Sequence, residues 1–525
     1  MTDWQTVCRF DELPEDGGRA VWINGRPVAL FRHEGAIYAL DDRCPHREGQ
    51  LSEGRVAGGK AICPLHGWDF DLATGISPYN PNDCIATYPA AITEDGEVQV
   101  DAAAVPPLPE ESFAGYQGRW RRWSHGGDHG HYIARRLAKG KPPLVEAMGA
   151  EPADLPVQLT WDHFHLAAAQ LDRVPRLAEE PVDTGATLGP GAGRPLTLAL
   201  PAFVSHMSFG ALSREAKIAL ARGAAAAGVP IGSGEGGMLP AERDAAETYI
   251  LEMASGYFGW HQAAMARADA FEAKLGQSAK PGLGGELPAA KVTDEIAGVR
   301  GLAPHTPAHS PARFPDLDSA AALGERIGEI RERFPDRPVG IKVAANRVAE
   351  DVAAALALEP DYITVDGFGG GTGAAPVHIR DEMGAPLVRA LPVARRLIAA
   401  HNADAERPVS LVAAGGLRTP ADIAKALALG ADACALATAA LFALGCEYYR
   451  ACDTGRCPVG ITTHDPELRA RLDMDTGARQ VERFLTGTRA VLADYLRAMG
   501  HAEIGALGPA DLIPLSAEAE SLLAG

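Results

Sequence analysis

The chain has 525 residues, 46% of them apolar and 22% charged, enough for two to four domains with substantial cores. Its net charge of −19 at pH 7 repels phosphate backbones, and no Lys/Arg stripe offsets it, which argues against a nucleic-acid partner. The opening MTDWQTVCRF lacks a basic, then apolar, leader pattern, and the longest apolar run, Ala433 to Leu444, falls short of the roughly 18 to 20 residues that cross a bilayer. A cytoplasmic protein with no membrane partner is expected.

From Trp4 to about Val100, short alternating runs (AVWI, VALFRH, AIYAL, VQV) are cut by Gly and Asp turns, the pattern of antiparallel β structure. The next stretch opens with AAAVPPLPEE, a Pro- and Ala-rich passage that reads as a linker unable to pack a core. An Arg-, His- and Pro-rich segment follows. Beyond about residue 195, β-like runs alternate with Ala-rich helical windows: IKVAA then VAEDVAAALAL, YITVDG then PLVRALPVARRLIAAH, SLVAAGG then TPADIAKALALG, ACALAT then AALFALG. Strand followed by helix, repeated, means parallel β/α units. Glycine and polar signals recur after several strands, which favours a (β/α)8 TIM barrel over a doubly wound sheet. The expected division is a small all-β domain over 1–105, a linker and barrel entry over 106–194, and the α/β barrel over 195–515.

Five of the eight cysteines fall in two short motifs, which suits metal ligation in a reducing compartment better than a disulfide framework. In the first, Cys44-Pro-His46 and Cys63-Pro-Leu-His66-Gly-Trp68 each offer one thiolate and one imidazole. A diiron cluster with two cysteines on one iron and two histidines on the other needs two such loops side by side. Zinc also accepts Cys2His2, but its knuckles usually pair like with like. With the trailing WDFDLATG, residues 1 to 100 resemble a Rieske 2Fe-2S ferredoxin domain. Neither loop has the extra cysteine that cross-links the loops of respiratory-complex Rieske proteins, so the resemblance is to the soluble, lower-potential branch, an electron relay.

Rieske domains often feed oxygenases, whose mononuclear iron takes two His and a carboxylate. The candidates are His125, His129 and His131 in SHGGDHGHY and His163 and His165 in WDHFH. Their spacing is wrong for a helical His-x4-His pair, and surface histidines are the plainer reading.

The second motif is Cys446, Cys452 and Cys457 in GCEYYRACDTGRCPVGI, a loop suited to wrap a cubane cluster. Three thiolates favour 3Fe-4S over 4Fe-4S unless Cys434 completes the set. Cys434, Cys8 and Cys84 otherwise read as small buried apolar residues.

That loop is similar to the cluster loop of the glutamate synthase large subunit, and the resemblance runs over about residues 160 to 500 through SHMSFGALSREA, GSGEGG, AKPGLGGELP, DGFGGGTGAAP and AAGGLRTPADIAKALALGADA. It implies a barrel that binds FMN beside a 3Fe-4S cluster at 446–457. Met207 and Ser208 would contact the flavin. Gly370, Gly371, Thr372 and Gly373, with Gly415 and Gly416, follow strand-like runs and open helices, so their amides suit a phosphate; tight αL turns are the alternative. Lys342, in VGIKVAA, needs an anionic partner if buried; reduced flavin is a suitable one, and an edge lysine reaching solvent is the alternative. Lys280 would help hold a 2-oxo acid, and Glu235 would donate a proton or orient ammonia; a solvated lysine and a loop carboxylate are the alternatives.

Departures from the family shape the reading. Where the resemblance would place the amidotransferase domain that releases ammonia from glutamine, this sequence has Thr2 and the Rieske-like stretch, and neither that domain nor the C-terminal β-helix of the family is expected here. Leu283 and Glu286 stand where the family has Glu and Gln, and Phe314 and Pro315 replace paired histidines. A carboxylate at Glu286 argues against a dicarboxylate such as 2-oxoglutarate. The expectation is an iron-sulfur flavoprotein that reductively aminates a 2-oxo acid with ammonia or an amine, or oxidises an amino acid in reverse. Its partners would be an external donor (ferredoxin or a reductase), a separate ammonia-supplying subunit and a further copy of itself in a homo-oligomer. The rival readings are a Rieske-fed oxygenase and a non-catalytic electron carrier.

Overall fold

The computed structural model describes residues 2–45, 49–64, 67–78, 84–107, 138, 140, 159–278, 280–282, 286–287, 289–370, 383–447, 452 and 455–524. The chain divides into two compact units, Met1–Asp128 with Arg456–Val459, and His129–Gly455 with Gly460–Gly525.

The first unit is antiparallel β. Gly18–Ile23, Arg26–His33, Ala36–Asp41 and Thr87–Tyr88 form one sheet; Trp4–Arg9, Glu97–Asp101 and Ala90–Ile92 a second; and Arg55–Ala57, Lys60–Ile62 and Asp69–Asp71 a third. Three two-residue hairpin turns, Asn24-Gly25, Glu34-Gly35 and Gly58-Gly59, hold both residues at positive φ, the backbone that matches the twist of paired strands. Leu13, Ile23, Val28, Leu30, Tyr88, Val98 and Val100 pack beneath them, joined by Ala102 and Val105. Val105 closes this core, 1% exposed, and Asn24 Nδ2 donates to the carbonyls of Ala102 and Val105 at 2.8 and 2.9 Å.

The second unit is a closed barrel of eight parallel strands in sequential order: β1 Ala202–Val204, β2 Ile231–Gly232, β3 Tyr249–Met253, β4 Ala270–Lys274, β5 Val339–Ala344, β6 Tyr362–Asp366, β7 Ser410–Ala414 and β8 Ala433–Leu436. Each strand is covered on both sides, which is why most read as short apolar runs. Helices follow them, among them Arg214–Ala226 after β1, Leu387–Asn402 after β6 and Pro420–Ala428 after β7. Thr419 and Asp422 cap the last of these reciprocally, the local signature that starts a helix directly after a glycine turn. A 26-residue helix, Met474–Met499, packs along Arg214–Ala226, and Gly223 lets it approach: a Cβ there would lie 2.6 Å from Val481 Cβ. Before the barrel, Phe164–Leu166 pairs with Leu512–Pro514. No helix of the described residues is long and apolar enough to cross a membrane.

Candidate functional site

In the first unit, Cys44 lies three residues beyond the end of strand Ala36–Asp41, and Cys63 directly follows Lys60–Ile62. The Cys44 N–H donates to the Gly49 carbonyl at 2.9 Å; the Cys63 N–H donates to Trp68 O at 2.7 Å, and Gly67 N–H donates back to Cys63 O at 2.9 Å. These bonds set each thiol in a tight loop, 1% and 2% exposed. Two shielded sulfurs at strand ends fit the thiolate half of a cluster site; His46 and His66 lie outside the described residues.

In the barrel, charged residues interrupt the apolar strands, and closure brings them together. Register places Glu252 of β3 beside Glu272 of β4, Lys274 beside Lys342 of β5, and Lys342 beside Thr364 of β6. His206, just after β1, has Nδ1 3.4 Å from Glu252 Oε2 and Nε2 3.2 Å from Glu272 Oε1. A side chain from β1 reaches β4, three strands round the wall, only across the lumen, so this cluster fills the barrel interior. Sequence reasoning missed His206, Glu252, Glu272 and Lys274. The available signal was an isolated charge in the apolar runs YILEM and AFEAK, since a buried ionised group must find a partner.

Lys274 Nζ lies 2.8 Å from Glu235 Oε2 and 3.5 Å from Glu252 Oε1. Burial works to raise the Glu235 pKa, but the Lys274 ammonium, helped by Arg300 and Lys280, brings it down to about 2. The pairing with Lys274 therefore favours the carboxylate form of Glu235 at neutral pH. Lys280 is buried, 2% exposed, in a short pairing of Gly276–Gln277 with Lys280–Pro281. Burial, and then the nearby Lys274 charge, lower its pKa to about 8. The solvated alternative does not hold for it. Lys342 is buried as well, and its anionic partner is Asp366 at 3.1 Å; against burial, Asp366, Glu272 and Glu252 raise its pKa.

The loops after β1 and β2 are tied by a buried lysine. Lys217 Nζ donates to Met207 O at 2.6 Å and to Ser233 O at 2.9 Å and pairs with Glu242 at 2.7 Å. Gly234, at φ +76, lies so close to Met207 and Ser208 that a Cβ would sit 2.3 Å from Ser208 N. On the other side, the loops after β6 and β7 close on one another. Gly415, at φ +95, leaves no room for a Cβ, which would meet Gly367 O at 2.4 Å, and Gly370 sits close to Gly415 and Ser278. Gly416 is also at positive φ. Stripped backbone at adjacent strand ends fits a phosphate-bearing cofactor; Gly371, Thr372 and Gly373 lie outside the described residues.

In the second cysteine motif, Cys457 is buried, Cys446 half-buried and Cys452 exposed. Cys446 N–H donates to Leu441 O at 2.9 Å, and Lys291 Nζ donates to Cys452 O at 3.4 Å. Cys434 lies in the wall of β8, where burial raises its thiol pKa, so it behaves as an apolar side chain. Cys84 is exposed and Cys8 half-buried, which corrects the expectation that both are core residues. Of the histidines weighed for a mononuclear iron, His163 turns Nδ1 to the N–H of Thr160 at 3.1 Å and His165 faces solvent; the other three lie outside the described residues.

Fold and site together define a barrel enzyme type with a buried charged lumen, preceded by a β domain that presents paired cysteines. A model of the Rieske [2Fe-2S] domain matches residues 3–89, and a model of the conserved region in glutamate synthase matches residues 177–502. The chain belongs to the glutamate synthase family and carries a Rieske domain. Its relatives include an archaeal glutamate synthase [NADPH] of Methanocaldococcus jannaschii, 39% identical over 58% of this chain and 60% of the relative. An archaeal-type glutamate synthase [NADPH] of Thermotoga maritima is 40% identical over the same shares. A glutamate synthase large subunit-like protein of Rhizobium meliloti is 36% identical over 69% of this chain and 86% of the relative. The chain thus spans about 60% of the length of the archaeal-type relatives.

Proposed function

We propose that the chain is an iron-sulfur flavoprotein oxidoreductase that interconverts a 2-oxo acid plus ammonia or an amine with the corresponding amino acid. The observation that carries this reading is the buried Lys280, whose pKa burial pushes down to about 8, next to the Lys274–Glu235 ion pair. Charged, Lys280 attracts the carboxylate of a 2-oxo acid; its proton is exchangeable near neutral pH, as a general acid requires. Glu235, held anionic, orients a cationic or N–H donor partner. Bound FMN would supply hydride exchange at the C–N carbon, and the 2Fe-2S and 3Fe-4S clusters would supply single electrons. Met207, Ser208, Lys342, Gly370, Gly371, Thr372, Gly373, Gly415 and Gly416 would hold the flavin. Cys44, His46, Cys63 and His66 would hold the first cluster, and Cys446, Cys452 and Cys457 the second. A ferredoxin or reductase would provide electrons, and a separate subunit the ammonia. The family membership and the Rieske domain support this reading.

The test is anaerobic purification, visible and EPR spectra, and a screen of amino acids for bleaching of the flavin band. Bleaching by one amino acid is expected. Release of no flavin on denaturation would overturn the reading, and mononuclear iron in its place would favour the oxygenase.

A further inference from the structure

Among the described residues, seven non-glycine positions take a positive φ, and six of them, Asp16, Asn24, Glu34, Tyr257, His305 and Glu359, are exposed or half-buried. The seventh, Ser278 at φ +53, is buried, 5% exposed. A side chain with a Cβ is disfavoured in that backbone, and such strain persists only where the surroundings impose it. Here they do. Ser278 follows Gly276–Gln277, which pairs antiparallel with Lys280–Pro281, and a two-residue hairpin turn asks for positive φ. Glycine or asparagine meets that demand with less strain, so the backbone alone does not account for serine.

What serine adds is a hydroxyl. The hairpin leaves β4 and turns over the C-terminal ends of the strands, where barrels of this kind bind their ligands. Gly276 packs on the end of β5, where a Cβ would lie 3.0 Å from Ala344 Cβ. Ser278 Oγ reaches on to the loops after β6 and β7: a Cβ on Gly370 would meet it at 2.8 Å, Asp366 Oδ1 at 3.0 Å and Gly415 Cα at 3.2 Å. The other oxygen of Asp366 holds Lys342 at 3.1 Å. Among the described residues, Ser278 Oγ has no hydrogen-bond partner, and it is not one of the atoms sealed into the core. A buried hydroxyl is costly to leave unpaired, and this one stands between the glycine turns and the Lys342–Asp366 pair.

We propose that Ser278 is a flavin-holding residue, its hydroxyl donating to an acceptor oxygen of bound FMN. The inference rests on the reading of the barrel mouth as an FMN site. It adds a side-chain donor that the stripped glycine backbone does not supply, and it gives the strained turn a function: the fixed backbone holds the donor in place.

The experiment uses the anaerobic holoenzyme and two variants, Ser278→Ala and Ser278→Gly. Both remove the hydroxyl but only glycine relieves the backbone, so the pair separates the ligand contact from the strain. Loss of one hydrogen bond should speed FMN release on dilution, read as recovery of free-flavin fluorescence, about three- to tenfold in both variants. Ser278→Gly should nevertheless unfold about 1 to 2 °C above Ser278→Ala. Release from Ser278→Ala at the wild-type rate would overturn the site. Wild-type retention in Ser278→Gly would also overturn it, because strain and not the hydroxyl would then govern release. The two ideas fail distinguishably. Wild-type protein that releases no flavin on denaturation sinks the flavoprotein reading and this contact with it, whereas flavin released at one rate by all three proteins sinks the contact alone.

Discussion

Lys280 and Glu235 sit in the same strongly charged neighbourhood, yet their pKa values move away from neutrality in one case and towards it in the other. Glu235 has a contact partner, Lys274, so its carboxylate is stabilised; for Lys280 burial is the main cause, the Lys274 charge adds to it and the Glu235 carboxylate opposes it. The consequences for stability have opposite form. Glu235 contributes stability above its unfolded pKa of 4.5, lost as pH falls towards about 2. Lys280 in the folded state binds fewer protons than in the unfolded state between about 8 and 10.5, so its burial penalty is complete below 8 and relieved as pH rises through that window. Lys280→Met should therefore be more stable than wild type at pH 7, with the gap closing by pH 10.5, and its activity should fall at least about a hundredfold. Urea midpoints at both pH values test this; a gap independent of pH would mean that Lys280 has the same pKa in the folded and unfolded protein. Lys280, Glu235 and Lys342 could be picked out of the chain because they lie in motif-rich loops or strands. His206 and Glu272 could not, because their meeting depends on closure of eight strands and no local pattern encodes it.

The repeating units of the barrel are written locally, in apolar runs of strand length, cap residues such as Thr419 and glycines where the chain turns. What lies between neighbouring elements is less legible, since it depends on how closely two surfaces approach. Gly223 and Gly298 both sit in helices and look alike in sequence. Gly223 faces the long C-terminal helix, with Val481 Cβ and Ala478 O within 2.8 Å of an added Cβ, whereas nothing lies within 4 Å at Gly298. Overpacking a tight contact costs about 1 to 3 kcal/mol, while replacing an unconstrained helical glycine gains about 0.5 to 1 kcal/mol. Gly223→Val should lower and Gly298→Ala should raise the free energy of unfolding by those amounts in chemical denaturation. Equal effects would mean that helix propensity, and not the helix–helix contact, governs Gly223. The same distinction applies at the end of the β domain: AAAVPP signals a flexible composition, and the position of Asn24 shows how Val105 is gathered into the β core.

At the scale of the molecule, each unit has its own core. Among the described residues, the hydrophobic cluster of the first draws on positions from Val7 to Val105, and the barrel closes with β1 pairing β8. The β-then-β/α succession made this division readable in the sequence. Independent cores imply that the redox roles can be separated by mutation. Cys44 lies in a loop of the first unit, with backbone bonds that do not involve its sulfur, so Cys44→Ser removes a cluster ligand and leaves the loop's hydrogen bonds in place. That variant should lose the Rieske EPR signal and reduce flavin from an external one-electron donor at least a hundredfold more slowly. It should keep a full complement of flavin and bleach with the amino acid substrate at the wild-type rate, because that half of the chemistry belongs to the barrel. Parallel loss of flavin would mean that the barrel needs the intact first unit to hold its cofactor, and unchanged reduction by the external donor would mean that electrons reach the barrel without the Rieske domain.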